Sequence, residues 1–486
     1  MPLSRRAFLK GSVAAGAAAL VPWRGAMAAG ANEEIRVAII GTGSQGSGHL
    51  KTYVSDAFKA MNVRLVAVAD ADQKNADRAA ATAGKAGVKV DAYQDLRKVL
   101  DRKDIDAVVT ATPNHWHSLV GIWACQAGKD VYIEKPMSHD IFEGRKVVEA
   151  AAKHNRIVYV GTQRRSDTGL AEAVAWLAAG NLGKAVRARS YCYRHRLSIG
   201  KTTGPQAAPA TVDYDLWCGP APKDPPRRTR FHYDWHWFWA TGNGEIGNNG
   251  IHSMDAIRWV IGATCVKRAV SFGGRYAFDD DAETPNTHMA FIETDTVPII
   301  FDGRNLTRKK GDTVQDVSPR GGVREGSIVE FEGGYFAGGW AYDNKDQRIK
   351  QFKRDEGSDH RANFIKCLRA RTPESNKAPA IEGHRSALCF HLPNLSYRVG
   401  REMKPADLAD QFKADKTAQD VVERFASHVG GHVDDPATWT ATVGPWLTFD
   451  PKAEKVTGPF AEQANALLKG PAGGKYRAPF VVPDTV

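Results

Sequence analysis

The stretch GTGSQG at 41–46 follows the apolar run IRVAII at 35–40 and precedes a helix-compatible run from Ser47 to about Lys59. A β-branched run, a Gly-x-Gly-x-x-Gly turn and a helix, in that order, make a cradle for a pyrophosphate. Gly41 permits the tight turn, Gly43 lets the backbone approach a phosphate, and Gly46 lets helix and strand pack closely. Ser44 and Gln45 lie where the helix N-terminus offers free N–H groups and positive dipole. The next apolar run, VRLVAVAD at 63–70, ends in Asp70. An acid there accepts hydrogen bonds from ribose hydroxyls and repels a 2′-phosphate, so NAD is expected rather than NADP.

Lys135 closes a later apolar run, DVYIEKP at 130–136. Oxidising an alcohol needs a base at the O–H and a hydride acceptor facing the C–H. A lysine beside a nicotinamide has its pKa lowered by desolvation and by the ring's positive charge, which suits it to that task. His252 titrates near neutrality without any such help.

These residues need elements to position them. Strand-like runs at 88–93, 105–112, 130–136 and 156–163 continue an alternation with helix-compatible segments at about 73–84, 95–102, 118–127 and 141–154. That alternation predicts a doubly wound parallel sheet. Ligands then sit beyond the carboxyl ends of the strands. Besides the glycine turn and Asp70, those ends carry Thr112, Asn114, His117, Glu134, Lys135 and Gln163 on the cofactor side, with Arg164 and Arg165 beside them as expected substrate-binding residues. The second half changes character. Strand-like runs at 184–195, 266–277, 286–294, 297–303 and 326–334 are joined mainly by loops, and helices are predicted at 250–261, 358–370 and 383–398. The fold class is α/β: a Rossmann domain over 33–160, an α/β domain with a large, open, mainly antiparallel sheet over 161–400, and a C-terminal extension over 401–486 that packs on the body. An exposed face and edge on such a sheet predict a homo-oligomer.

AVVTATPNHWHSL (107–119), YIEKP (132–136), DYDLWCGPAP (213–222) and GNGEIGNNGIHSMDAIRW (242–259) together resemble the glucose-fructose oxidoreductase / inositol dehydrogenase family, Gfo/Idh/MocA. The resemblance covers most of 35–400. It implies hydride transfer between a nicotinamide cofactor and a sugar or cyclitol hydroxyl. It places Lys135 on the family's lysine that contacts both the nicotinamide ribose and the substrate, before a proline, Pro136, that is often cis. Asn114 and His117 match the loop lining the nicotinamide, His252 the acid/base histidine, and Asp255 its partner one turn later. The family often has Asp four residues before that histidine, where this chain has Asn248. Asn orients a hydroxyl but cannot relay a proton. Proton transfer then falls on Lys135 and His252, or the redox chemistry has been altered.

The run FHYDWHWFW at 231–239 alternates aromatic and polar residues, which predicts an extended segment with one aromatic face. Trp235 and Trp237 on that face suit a sugar platform, and aromatic core packing accounts for them equally well. His115/His117 and His232/His236 gain no carboxylate or Cys at ligand spacing, so no metal is expected. The six cysteines make no CxxC and are expected as free, buried thiols.

SRRAFLK at 4–10, a weakly apolar stretch at 11–23 and Ala26-Met27-Ala28 make a twin-arginine signal peptide over 1–28. The stretch is too short to span a bilayer, so no membrane anchor is expected. Arg5, Arg6, Lys10 and Arg24 contribute to the net charge of +11, and what remains is mild for 486 residues. No block of basic residues interleaves with aromatics, which argues against a nucleic-acid partner. The expected destination is the periplasm or another exported, soluble location, reached through the twin-arginine machinery. Free NAD is not maintained there, so the protein must fold around its NAD and keep it. Each oxidation is then matched by a reduction on the same cofactor. A redox-neutral glycosidase, lyase or epimerase using transient oxidation is the alternative enzyme, and a sugar-binding protein on a degenerate dehydrogenase scaffold the alternative without catalysis.

Overall fold

The computed structural model describes residues 33–435, 438–471 and 473–486. The signal peptide expected over 1–28 lies outside them. The first sheet is built from β1 (Ile35–Ile40), β2 (Val63–Ala69), β3 (Asp91–Tyr93), β4 (Ala107–Thr110), β5 (Asp130–Ile133) and β6 (Val158–Val160). All pairs are parallel. The order β3-β2-β1-β4-β5-β6 reverses direction between β1 and β4, and that switch point opens a crevice at the strands' carboxyl ends. Alternation along β1 divides the core. Ala38 and Ile40 enter the apolar cluster on one face of the sheet, and Ile35, Val37 and Ile39 the cluster on the other. Both faces are covered, as parallel strands require.

The helix expected from Ser47 to Lys59 starts earlier and is broken. One helix covers Ser44–Tyr53 and a short one Asp56–Ala60. At the break, Ser55 Oγ turns back to the Thr52 carbonyl at 2.7 Å and competes for the helix's own acceptor.

The second sheet has twelve strands: β7 (Ala185–Tyr193), β8 (Val266–Gly274), β9 (Thr287–Thr294), β10 (Ile299–Arg304), β11 (Glu325–Phe331), β12 (Gly334–Ala337), β13 (Trp340–Asp343), β14 (Arg348–Gln351), β15 (Arg401–Met403), β16 (Ala441–Val443), β17 (Leu447–Asp450) and β18 (Lys455–Thr457). Among the described residues, only β7 and β10 of this sheet pair in parallel. The helices Ile251–Ile261 and Ala380–Arg398 pack on its inner face, where Ala269, Ala290, Ile292 and Phe301 meet Met254, Ile257 and Phe390. The outer face expected to be open is covered at its centre by the chain itself. Helices Pro405–Gln411 and Lys416–Gly430 lay Leu408, Val421 and Phe425 on Val270, Phe272, Met289 and Ile300. The C-terminal residues also add β15–β18 to the sheet. All six cysteines are free, and all but Cys265 are buried.

Candidate functional site

The glycine turn has the geometry its spacing predicts. Gly41 has φ +83°, a left-handed value that favours glycine, and a Cβ on Gly46 would lie 1.9 Å from the Gly41 carbonyl oxygen. Gly43 differs from both: nothing stands within 4 Å of where its Cβ would be, because it faces a cavity. That cavity, of about 270 Å³, runs from Gly41, Gly43, Ser44 and Gln45 past Asp70 to Thr112, Asn114, His117, Glu134, Lys135 and Asn248. The helix Ser44–Tyr53 has no side-chain cap, so its first N–H groups face the opening. Asp70 accepts from the Thr42 amide at 2.8 Å and the Asp72 amide at 2.9 Å. A carboxylate has further lone pairs for ribose hydroxyls. The bare Gly43 cradle, the uncapped helix and Asp70 together suit a dinucleotide.

The opposite wall comes from the connection between β7 and the helix Ile251–Ile261. Residues 211–213 are stitched to the Rossmann domain by Gln73 N–H to the Thr211 carbonyl (3.0 Å) and Asp213 N–H to the Ala71 carbonyl (2.8 Å). His232 Nε2 lies 2.9 Å from Asp72 Oδ2. Trp217, His232, Tyr233, Trp235 and His236 then line the cavity. The run 231–239 is not extended. Arg230 pairs with Asp234 at 2.7 Å, Trp235 Nε1 donates to the His232 carbonyl at 3.1 Å, and these local bonds curl Asp234–Trp237 into a 3₁₀ turn. Trp235 therefore faces the cavity, while Trp237 packs with Ile199 and Phe238.

Glu134 and Lys135 point in different directions. Gln45 Nε2 and His49 Nε2, one helical turn apart, each lie 2.9 Å from Glu134 Oε1. Arg361 Nε donates to His49 Nδ1 at 2.9 Å, so the His49 proton is on Nε2 and is donated to Glu134. Burial acts to raise the Glu134 pKa, but the hydrogen bond from His49, with the Lys135 charge and the Gln45 hydrogen bond, outweighs it and holds the carboxyl well below the usual range. Lys135 Nζ donates to the Asn248 carbonyl at 2.8 Å and makes no ion pair among the described residues. Burial pulls its pKa below the ordinary lysine value, against partial opposition from Glu134 and Glu245. The Lys135–Pro136 peptide is cis. His117 joins the two loops, with Nδ1 2.6 Å from the Pro136 carbonyl and Nε2 2.7 Å from that of Thr112. Asn114 donates to Asn243 Oδ1 at 2.9 Å.

His252, Gln163 and Arg164 line an adjoining cavity of about 270 Å³, which meets the first at Asn249. The His252 ring has no hydrogen-bond partner among the described residues. Burial, then the charges of Lys135 and Arg164, keep its pKa well below the ordinary value. Asp255 is not its partner. Asp255 accepts from Arg165 Nε at 2.8 Å and from Ser386 Oγ at 2.7 Å. Both members of that pair are buried, and Arg165 also reaches Glu382 at 3.2 Å. They brace the helix Ile251–Ile261 and line neither cavity.

Sequence reasoning missed His49, Arg361, Asn249 and the Asp72–His232 clasp. Only His49 left a signal: it stands four residues after Gln45, on the same helix face.

A family model described as "Oxidoreductase family, NAD-binding Rossmann fold" matches residues 35–162, and its "C-terminal alpha/beta domain" companion matches 184–429. A twin-arginine translocation signal model matches residues 2–22. The chain is 40% identical over 154 residues to inositol 2-dehydrogenase 4 of Saccharopolyspora erythraea, covering 32% of this chain and 44% of that one. It is 31% identical over 153 residues to scyllo-inositol 2-dehydrogenase (NAD(+)) of Bacillus subtilis, covering 32% and 43%. These matches thus span less than half the length of either relative. Among solved structures, the WlbA dehydrogenase of Bordetella pertussis in complex with NADH and UDP-GlcNAcA aligns with TM-score 0.55 at 18% identity, over 75% of this chain and 97% of that one. Levoglucosan dehydrogenase in complex with NADH aligns with TM-score 0.52 at 17% identity, over 74% and 96%. At such identities the structural likeness speaks to the fold. With both domains matched in order, and with the glycine turn, the EKP lysine and the His252 helix in place, the chain belongs to the Gfo/Idh/MocA oxidoreductase family.

Proposed function

We propose that this protein is an exported oxidoreductase that moves hydride between a tightly retained NAD and a hydroxyl of a sugar, glycoside or cyclitol. The observation that carries the reading is Lys135. Its side chain lines the first cavity, the amine tied only to a carbonyl, with its pKa lowered by burial. A lysine so placed is an available base rather than half of an ion pair.

Gly41, Gly43 and the helix start at Ser44 hold the pyrophosphate, Asp70 the adenosine ribose, and Thr112, Asn114 and His117 line the nicotinamide end. The cofactor, when bound, supplies the hydride acceptor for the substrate C–H. Lys135 Nζ takes the hydroxyl proton as the carbon is oxidised and returns it in reduction. His252, its pKa lowered by burial, orients or shares that proton from the second cavity. Asn248 is limited to hydrogen bonding.

Retention is supported by the wall at 211–236, which stitches across the cofactor cleft, and by the signal at the N-terminus. Export takes the folded protein to the periplasm, where exchange of NADH is not available. The cycle closes on one cofactor, either with a second sugar as acceptor or by reducing the same substrate after epimerisation or elimination.

The test is to purify the mature protein, denature it, and assay the released cofactor enzymatically. Recovery of NAD at near one equivalent is expected, and neutral sugars, sugar acids and cyclitols are then screened for reduction of the retained cofactor. Recovery of mostly NADP, or of no nucleotide, counts against the reading.

A further inference from the structure

Two adjacent arginines meet different fates. Arg165 is buried and paired with Asp255 and Glu382. Arg164 is half-buried, lines the second cavity, and has no carboxylate or hydrogen-bond partner for its guanidinium among the described residues. A guanidinium withdrawn from water without a partner is costly, and such groups are normally paired. The acids in the cavity wall are already held by other cations: Glu325 by Arg194 at 3.2 Å and Glu356 by Arg354 at 3.0 Å. Gln163 Oε1 is buried there without a partner, and the His252 ring is also uncommitted. Three residues with unused polar groups therefore line one cavity, and one of them is a fixed cation.

We propose that the substrate is an acidic sugar, and that its carboxylate pairs with Arg164 in the second cavity. The proposal rests on the reading of the protein as a sugar oxidoreductase. A sugar whose reacting hydroxyl meets Lys135 extends past Asn249, which lines both cavities, toward His252 and Arg164. The planar fork of Arg matches a carboxylate with two parallel hydrogen bonds. Glu325 and Glu356 in the same wall disfavour a dianion, so a carboxylate is preferred over a phosphate. Gln163 and His252 are left for the neighbouring hydroxyls.

The experiment is isothermal titration of the NAD-loaded protein with D-glucuronate and D-galacturonate, their neutral parents D-glucose and D-galactose, and D-glucose 6-phosphate. At least one uronate is expected to bind about tenfold or more tighter than its parent, the scale of a hydrogen-bonded charge pair. It should also bind tighter than the phosphate. Arg164→Gln should bring the uronate-to-parent ratio to about one, and Arg164→Lys should hold it between. Equal binding of acid and parent, no binding of either uronate, a preference that survives Arg164→Gln, or tighter binding of the phosphate overturns the proposal. Reduction of the retained cofactor is read in parallel. If no sugar of either class reduces it, the oxidoreductase reading fails, while the binding ratio still judges Arg164 independently.

Discussion

The Lys135 ammonium lies 2.8 Å from the carbonyl oxygen of Asn248, across the boundary between the Rossmann domain and the second domain. Lys135 follows β5, whereas Asn248 lies in the turn Ile246–Gly250 that leads into the His252 helix. The contact brings an amine from one domain against the helix start of the other.

Lys135→Ala should slow reduction of retained NAD by ~10²–10⁴-fold, the range for loss of one general acid/base. The nucleotide should stay bound, because the residues proposed to hold its pyrophosphate and ribose, the glycine turn and Asp70, are untouched. The wild-type rate should rise with pH, since the neutral amine is the active form on the proposed mechanism. Its midpoint should fall below the ordinary lysine pKa of about 10.4, because burial lowers Lys135. Single-turnover rates across pH check both points, and an unchanged rate in the variant removes Lys135 from the mechanism.

Asn248→Ala should cost about two- to tenfold, as expected for a neutral hydrogen bond of about 0.5–1.5 kcal/mol. Asn248→Asp is the sharper probe. A new carboxylate in the cavity favours the charged form of Lys135, so the rising limb of the pH–rate profile should move to higher pH. A limb that stays in place means that the Asn248 side chain does not face the amine.

His49→Ala should destabilise the protein by about 1.5–3 kcal/mol at neutral pH, because Glu134 loses a buried donor. Glu134 has its folded pKa depressed. Its contribution is therefore present above the unfolded value of about 4.3 and lost as pH falls toward the folded value. The gap between parent and variant should narrow on acidification below about pH 4. Urea unfolding at neutral and acidic pH measures it. A gap that does not change with pH would assign His49 to packing alone. Cofactor occupancy in the same variant reports whether the Glu134 loop still holds its shape.

Replacing Arg5 and Arg6 together by Lys should leave the precursor in the cytoplasm with its signal uncleaved. Fractionation and the mass of the N-terminus read the outcome. Normal export of the double variant points to another route.

The sequence by itself determined whatever depends on neighbours along the chain. Alternation along β1 sorted Val37 from Ala38 onto opposite faces, because side chains in a strand have period two. Gly41 was legible because its left-handed backbone is costly for other residues, and Gly46 because a Cβ there would strike the Gly41 carbonyl. EKP and the His252 helix were legible as family motifs. The tertiary structure decided everything that depends on which distant group arrives. Arg164 and Arg165 are indistinguishable on paper, yet the helix Ala380–Arg398 brings Glu382 to one and leaves the other facing a cavity. Asp255, one turn after His252, is captured by Arg165 instead. The aromatic run at 231–239 kept its rings but lost its period, because Arg230–Asp234 and the bonds within the turn outweigh a strand with no partner to pair with. Periodicity records a local preference, whereas ion pairs and cavity walls are settled only when segments far apart in the chain pack together.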